Sequence, residues 1–260
     1  NPFPSQMGRV CPAPCQSGCN RNEVDDYVGI NAVEQFIGDT AFKEGFKFDP
    51  APELKKQRVA IIGGGPAGMS AAYQLRKKGY ASTIFEEREQ LGGMMRYGIP
   101  NYRTPRDILD AEINRILDLG DIEVVLNTRV GKDVPLEDVE KSHDAVLWTI
   151  GCWNGKSLPI EGSDAENCLN GVEFLEAFSQ GRLKVGAQKV VCVGGGDTSI
   201  DVVSVARRLG HISNMNPQEK PEAVVHGYVA QDVSEQAIKE GAEVTLTSLF
   251  KREEMTAAEQ

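Results

Sequence analysis

Apolar residues in this chain fall into two rhythms. Residues 59–62, 81–85, 122–126 and 145–150 are short, nearly unbroken apolar runs, a length and continuity that predict strands buried in a parallel sheet. Trp148 falls in the last of these, which Gly151 stops, and is expected in the core. Between the runs the period changes. Ile108, Leu109, Ile113, Ile116 and Leu117 recur at helical spacing, predicting an amphipathic helix over 106–119 ended by Gly120. INAVEQFI, residues 30–37, predicts a shorter amphipathic helix of the same kind.

The junctions between the two rhythms carry the chemistry. RVAIIGGGPAGMSAAYQL, residues 58–75, passes from strand through glycines into a small-residue helix. Gly63, Gly65 and Gly68 stand in GxGxxG spacing, with Gly64, Pro66 and Ala67 completing the turn. The first glycine permits the turn, the second lets backbone approach a pyrophosphate, and the third lets helix pack on strand. The helix start then offers free N–H groups to the phosphates. Eighteen residues past Gly68, the next apolar run ends in Glu86, placed to accept from ribose hydroxyls. Gly92 and Gly93 would let backbone pass close to a ligand, and Arg96 and Arg103 in the same glycine- and proline-rich loop are candidate ligand contacts. The pattern returns in KVVCVGGGDTSIDVVSVARRL, residues 189–209, with Gly194, Gly195 and Gly196 in the turn and Ser199 at the third, close-packing position. Asp197 and Asp201 fall on the first turns of that helix, where a carboxylate also suits the dipole. The expected fold is α/β, with two Rossmann-like dinucleotide-binding domains. Two such motifs in one chain fit hydride transfer between a nicotinamide and a flavin.

The formal net charge of −10 argues against a nucleic-acid or anionic-membrane partner. No apolar run reaches membrane-spanning length, and no basic-then-apolar leader opens the chain. Six cysteines without such a leader suggest a reducing, cytoplasmic setting, where clustered thiols are metal ligands more often than disulfides. Three of them, Cys11, Cys15 and Cys19, lie in the proline-rich opening loop GRVCPAPCQSGC at C-x3-C-x3-C spacing. Compact loops of this kind wrap iron–sulfur clusters. Zinc, disfavoured by the spacing and the lack of a nearby histidine, and unligated thiols are the alternatives. Cys152, Cys168 and Cys192 are isolated, and Cys192 reads as a small core residue.

Taken together, GRVCPAPCQSGC, VAIIGGGPAGMSAAYQL, the stretch from Glu86 through LGGMMRYGIPNYRTP, and VVCVGGGDTSID resemble, in that order, the small (beta) subunit of glutamate synthase and its relatives, including the amino-terminal half of dihydropyrimidine dehydrogenase. The resemblance implies a flavoprotein in which NAD(P)H exchanges hydride with FAD while electrons pass to or from 4Fe–4S clusters and a large catalytic partner subunit. It implies that Gly63–Ala67 cradle the FAD pyrophosphate and that Glu86 holds the ribose. Gly93, Met94 and Arg103 would line the flavin, with Val130 near the adenine. Gly195, Gly196, Asp197 and Thr198 would meet the nicotinamide dinucleotide. Cys11 and Cys15 would ligate one cluster and Cys19 another, with Glu34, otherwise a solvated helix residue, as an unusual ligand.

Residues 1–50 are then a partial helical iron–sulfur module, 51–185 the first segment of an FAD-binding domain, and 186–260 a partial NAD(P)-binding domain. Against the family pattern the chain looks truncated at both ends, and residues 212–240 look like an insertion. NADP-specific relatives place a basic pair at the end of the following strand. Leu249 and Phe250 stand there in an ungapped match, with Lys251 and Arg252 next, which favours NAD. The competing expectation is a stand-alone disulfide-reductase-like flavoenzyme with a structural zinc or cysteine loop. It needs a redox-active thiol pair, which the sequence does not show.

Overall fold

The computed structural model describes residues 1–155, 158–183, 189–212 and 243–247, with the side chains of 209–212 and 243–247 outside the description. The first four apolar runs become β1 (Arg58–Ile62), β2 (Ala81–Phe85), β3 (Ile122–Val125) and β4 (Ala145–Trp148). They form one parallel sheet in the order β3-β2-β1-β4. Parallel neighbours require crossovers, which the intervening helices supply. By chain contacts the molecule divides into two units, Asn1–Arg96 with Arg103–Gly151, and Tyr97–Tyr102 with Cys152–Gln260.

The first unit holds α1 (Pro4–Val10), α2 (Pro14–Ser17), a 3-10 turn (Asn20–Glu23), α3 (Ile30–Lys43), α4 (Pro66–Lys77), the short α5 (Met94–Tyr97) at its boundary, α6 (Arg106–Leu117) and α7 (Leu136–Ser142). Side chains of β1 alternate across the sheet. Ile61 and Ile84 of β2 meet Met69, Ala72 and Tyr73 of α4 and Leu109, Ile113 and Ile116 of α6. On the opposite face Ala60 and Ile62 meet Val139 of α7, with Val130, Val134 and Val146 around them. Each fully buried aliphatic side chain contributes roughly 1.5–3 kcal/mol.

Two expectations about burial are corrected. The fourth apolar run is not a buried strand. β4 stops at Trp148 and, among the described residues, pairs with β1 alone at an edge of the sheet, so Trp148 is 52% exposed and Leu147 and Ile150 are exposed with it. The second concerns α3, whose apolar stripe (Ile30, Val33, Phe36, Ile37) faces outward, Phe36 being 71% exposed. Its packed side is the one with Gln35 and Gly38, which lies against α1. A methyl group on Gly8 would overlap Gln35, and one on Gly38 would overlap the backbone of Ser5. The absence of side chains there lets the two backbones nearly touch, and the Arg9 guanidinium clamps Asp39 through two 2.9 Å bonds beside them.

In the second unit β5 (Lys189–Val193) pairs in parallel with β6 (Glu243–Thr247). Phe174, Leu175 and Phe178 of α8 (Gly171–Ser179) bury against Val202, Val205 and Ala206 of α9 (Asp197–Ile212). Tyr102 packs on the same cluster, with the Arg208 guanidinium 3.9 Å over its ring, and Tyr97 meets Trp153 edge-on. That is why Tyr97–Tyr102 belongs here rather than with its chain neighbours. The insertion at 212–240, beyond Ile212, and Leu249–Arg252 lie outside the described residues.

Candidate dinucleotide and thiol sites

β1 delivers the chain to Gly63, whose φ of +106° few side chains tolerate. The turn is also closed sterically. A Cβ at Gly63 would come within 2.5 Å of the Thr149 carbonyl oxygen, and one at Gly68 would overlap the carbonyl of Gly63. Helix α4 therefore starts directly against the end of the strand, with extended Gly65 as its N-cap and Pro66 at its first position. The amides of its first turn lack partners within the helix, the arrangement that suits an anionic group.

Glu86 lies beside the turn and is almost fully buried. One carboxylate oxygen accepts from Gly64 N at 2.7 Å, the other from Arg88 N at 3.0 Å. Each oxygen keeps a second lone pair, which is what ribose hydroxyls would use. The loop after β2 folds back over the turn. Gly92 N donates to Gly64 O at 2.9 Å, and a Cβ on Gly93 would come within 2.7 Å of Gly65 Cα. Gly92 and Gly93 thus meet the glycine turn itself, a contact between backbones with no side chain between. Met94 is half-buried at the start of α5, Arg103 is half-buried, and Val130 bridges to Val134. Arg96 is a structural tie, with Nε donating to Leu91 O at 2.5 Å and a guanidinium nitrogen paired with Asp110.

Two participants were not found in the sequence. Thr149 donates its hydroxyl to the carbonyls of Ile62 (3.0 Å) and Gly63 (2.9 Å), bracing the turn from β4. Leu91 presses on Gly64 from the other side. Neither has a local signal, because each acts on a turn distant in the chain.

The second turn follows the same plan. A Cβ on Gly194 would lie 2.5 Å from Ser199 Oγ, so serine at the third position does bring helix and turn together. Ser199 and Ile200 amides both return to Gly196 O, starting α9 at Asp197. Gly195 and Gly196 are half-buried, and Asp197 and Thr198 are exposed at the helix start. Asp201 is buried. Burial pushes the Cys192 thiol up, and it packs on the α8–α9 cluster.

The opening loop spreads its thiols over three local elements. Cys11 is the C-cap of α1, Cys15 lies in α2, and Cys19 is the N-cap of the 3-10 turn. All are free. Backbone amides of Val28 and Arg21 hold the Cys19 thiol below its ordinary value, which favours the thiolate a metal requires. The donor chemistry fits an iron–sulfur group. The structure does not, however, bring three ligands to one point: among the described residues no three His, Cys, Asp or Glu side chains are grouped as a metal site. Ligands divided between two centres need no such triple. Glu34 accepts from Asn1 Nδ2 at 2.6 Å.

Comparison with known proteins agrees with this layout. The family model described as pyridine nucleotide-disulphide oxidoreductase matches residues 57–257, and the one described as dihydropyrimidine dehydrogenase domain II, 4Fe-4S cluster, matches residues 1–46. "Glutamate synthase [NADH]" of Saccharomyces cerevisiae is 36% identical over 236 residues, covering 86% of this chain and 11% of its own. "NADPH-Fe(3+) oxidoreductase subunit beta" of Geobacter sulfurreducens is 40% identical over 216 residues, covering 80% and 32%. Among solved structures, Mycobacterium tuberculosis FprA in complex with NADPH shares the fold at TM-score 0.60 and 18% identity, over 78% of this chain and 46% of that one. The chain thus spans only part of the length of the proteins it matches.

Proposed function

Since the chain belongs to the pyridine nucleotide-disulphide oxidoreductase family, we propose that it is the electron-transferring part of a larger oxidoreductase, using FAD, a nicotinamide dinucleotide and 4Fe–4S clusters, and working with a large catalytic subunit or domain. The observation that carries this reading is the pair of strand–turn–helix cradles, each closed to a side chain by its own packing. When bound, the flavin would take a hydride from the reduced nicotinamide and pass its electrons on to the cluster module, or run the reverse.

The residues present bind and orient. The first turn of α4 holds the pyrophosphate, Glu86 the ribose, and the Gly92–Gly93 backbone closes over the turn, with Met94, Arg103 and Val130 along the rest of the flavin. Gly194–Thr198 take the nicotinamide nucleotide. Cys11, Cys15, Cys19 and Glu34 serve the clusters. No side-chain acid or base is required. A disulfide-reductase reading would need a redox-active thiol pair beside the flavin, and the sequence shows no CxxC.

Full-length protein purified without air should be yellow, carry iron with acid-labile sulfide, and bleach on addition of NADH or NADPH. A protein with flavin that neither nucleotide bleaches would overturn the proposal. For the coenzyme, Leu249 and Phe250 stand in the sequence where NADP-specific relatives carry a basic pair and offer no cation to a 2′-phosphate, so NADH is the expected substrate, with a KM about tenfold or more below that for NADPH. The reverse order would give Lys251 and Arg252 the role of phosphate clamp. No described helix is long and apolar enough to cross a membrane.

A further inference from the structure

Helix α1 ends at the first thiol, since Cys11 is its C-cap and donates its amide to Met7 O at 2.9 Å. Its other end has no cap of its own. The N-cap is Phe3, whose side chain is spent in the core with Leu91, Met95 and Leu109. The two amides that a capping side chain would take go instead to Glu112, in the middle of α6. Ser5 N donates to Oε1 at 2.8 Å and Gln6 N to Oε2 at 3.0 Å. Because each oxygen takes one amide, the contact fixes the direction of α1 as well as its position. Gln6 Nε2 adds a bond to Pro105 O, the N-cap of α6, at 3.3 Å.

Glu112 is fully buried, and burial pushes its carboxyl up to about 7 against the pull of the two amides and of nearby Arg115 and Arg9. A serine cap would satisfy the helix start at lower cost. A buried carboxyl that takes one amide on each oxygen accepts few geometries. Its own helix runs straight to the first nucleotide turn: Leu109 lies against Gly92, and Gly92 donates to Gly64 O. One rigid path therefore joins Cys11, α1, Glu112, α6, Gly92 and the turn.

We propose that Glu112 is the positioning residue that sets the thiol loop relative to the flavin turn, so that electron passage between the two depends on it. This rests on the electron-transfer reading above. Glu112 touches neither cofactor and leaves nicotinamide-to-flavin transfer alone.

Two measurements on the full-length protein test it, with E112A and E112Q. Hydrogen exchange of the peptide covering residues 1–12 reads the anchoring of α1 without any cofactor. Single-turnover reduction by the nicotinamide separates flavin bleaching from the later reduction of the iron centre. E112A should exchange α1 amides faster, bleach at the wild-type rate, and slow the second step about tenfold to 100-fold, as a misplacement of about 1 Å can. E112Q, which keeps one acceptor, should fall between, and it decides alone if E112A does not fold. Wild-type exchange and wild-type second-step rates in E112Q and E112A at matched flavin and iron content would overturn the proposal, as would equal slowing of both steps. If the wild-type protein holds no flavin or iron, the function reading fails, and unchanged α1 exchange in the variants would separately refute the anchoring.

Discussion

A single added methyl at Gly68 would overlap the Gly63 carbonyl, and because that atom is backbone it has nowhere to go. Gly68→Ala should therefore cost about 1–3 kcal/mol of stability and most of the bound flavin, read by thermal melting and by flavin content after gel filtration. Glu112 gives a second expectation, with a definite sign. Its carboxyl holds a proton up to about pH 7 in the folded chain against an ordinary value of 4.5. Its contribution is thus fully present below about pH 4.5 and fades as pH rises through 7, by roughly 3 kcal/mol at about 1.4 kcal/mol per unit. E112Q should flatten that part of the urea-midpoint profile. Asp39 runs the other way: the Arg9 guanidinium lowers its carboxyl, so its stabilisation is lost as pH falls through that lowered value. The glycines and Glu86 were legible in the sequence because each requirement is met within one turn and its adjoining strand. Glu112 was not. On a helical pattern it reads as a solvated carboxylate, and the amides that donate to it lie 106 and 107 residues away.

At the scale of elements, β1, β2 and α6 follow from apolar period alone, since each is buried by its immediate neighbours in the fold, while β3 is half-buried at the other edge of the sheet. β4 and α3 show where period stops being informative. Their apolar residues form the expected strand and helix, but burial needs something packed outside, and the described residues put nothing there. The stripe of Ile30, Val33, Phe36 and Ile37, continued by exposed Val24, Tyr27 and Val28, is larger than scattered surface apolar residues would be. The 260-residue chain should accordingly self-associate. Phe36→Ser with Ile37→Ser should suppress this in sedimentation while changing stability by less than about 1 kcal/mol, because α3 packs on α1 through Gly38 instead. Gly38→Ala should do the reverse, costing about 1–3 kcal/mol by forcing α1 away without touching the apolar stripe.

For the whole molecule, the order of the motifs foretold a thiol loop followed by two nucleotide cradles. The allegiance of Tyr97–Tyr102 was not foretold, because six residues in a glycine- and proline-rich loop carry no period of their own. The packing of Tyr102 on the α8–α9 cluster under Arg208 and of the Tyr97 ring against Trp153 places them there. The chain consequently passes between its two units three times, after Arg96, after Tyr102 and after Gly151. A protease that clips the last crossing would thus leave Tyr97–Tyr102 on the amino-terminal fragment although the second unit counts those six residues as its own, so that unit would lose part of its packing with the cut-off piece.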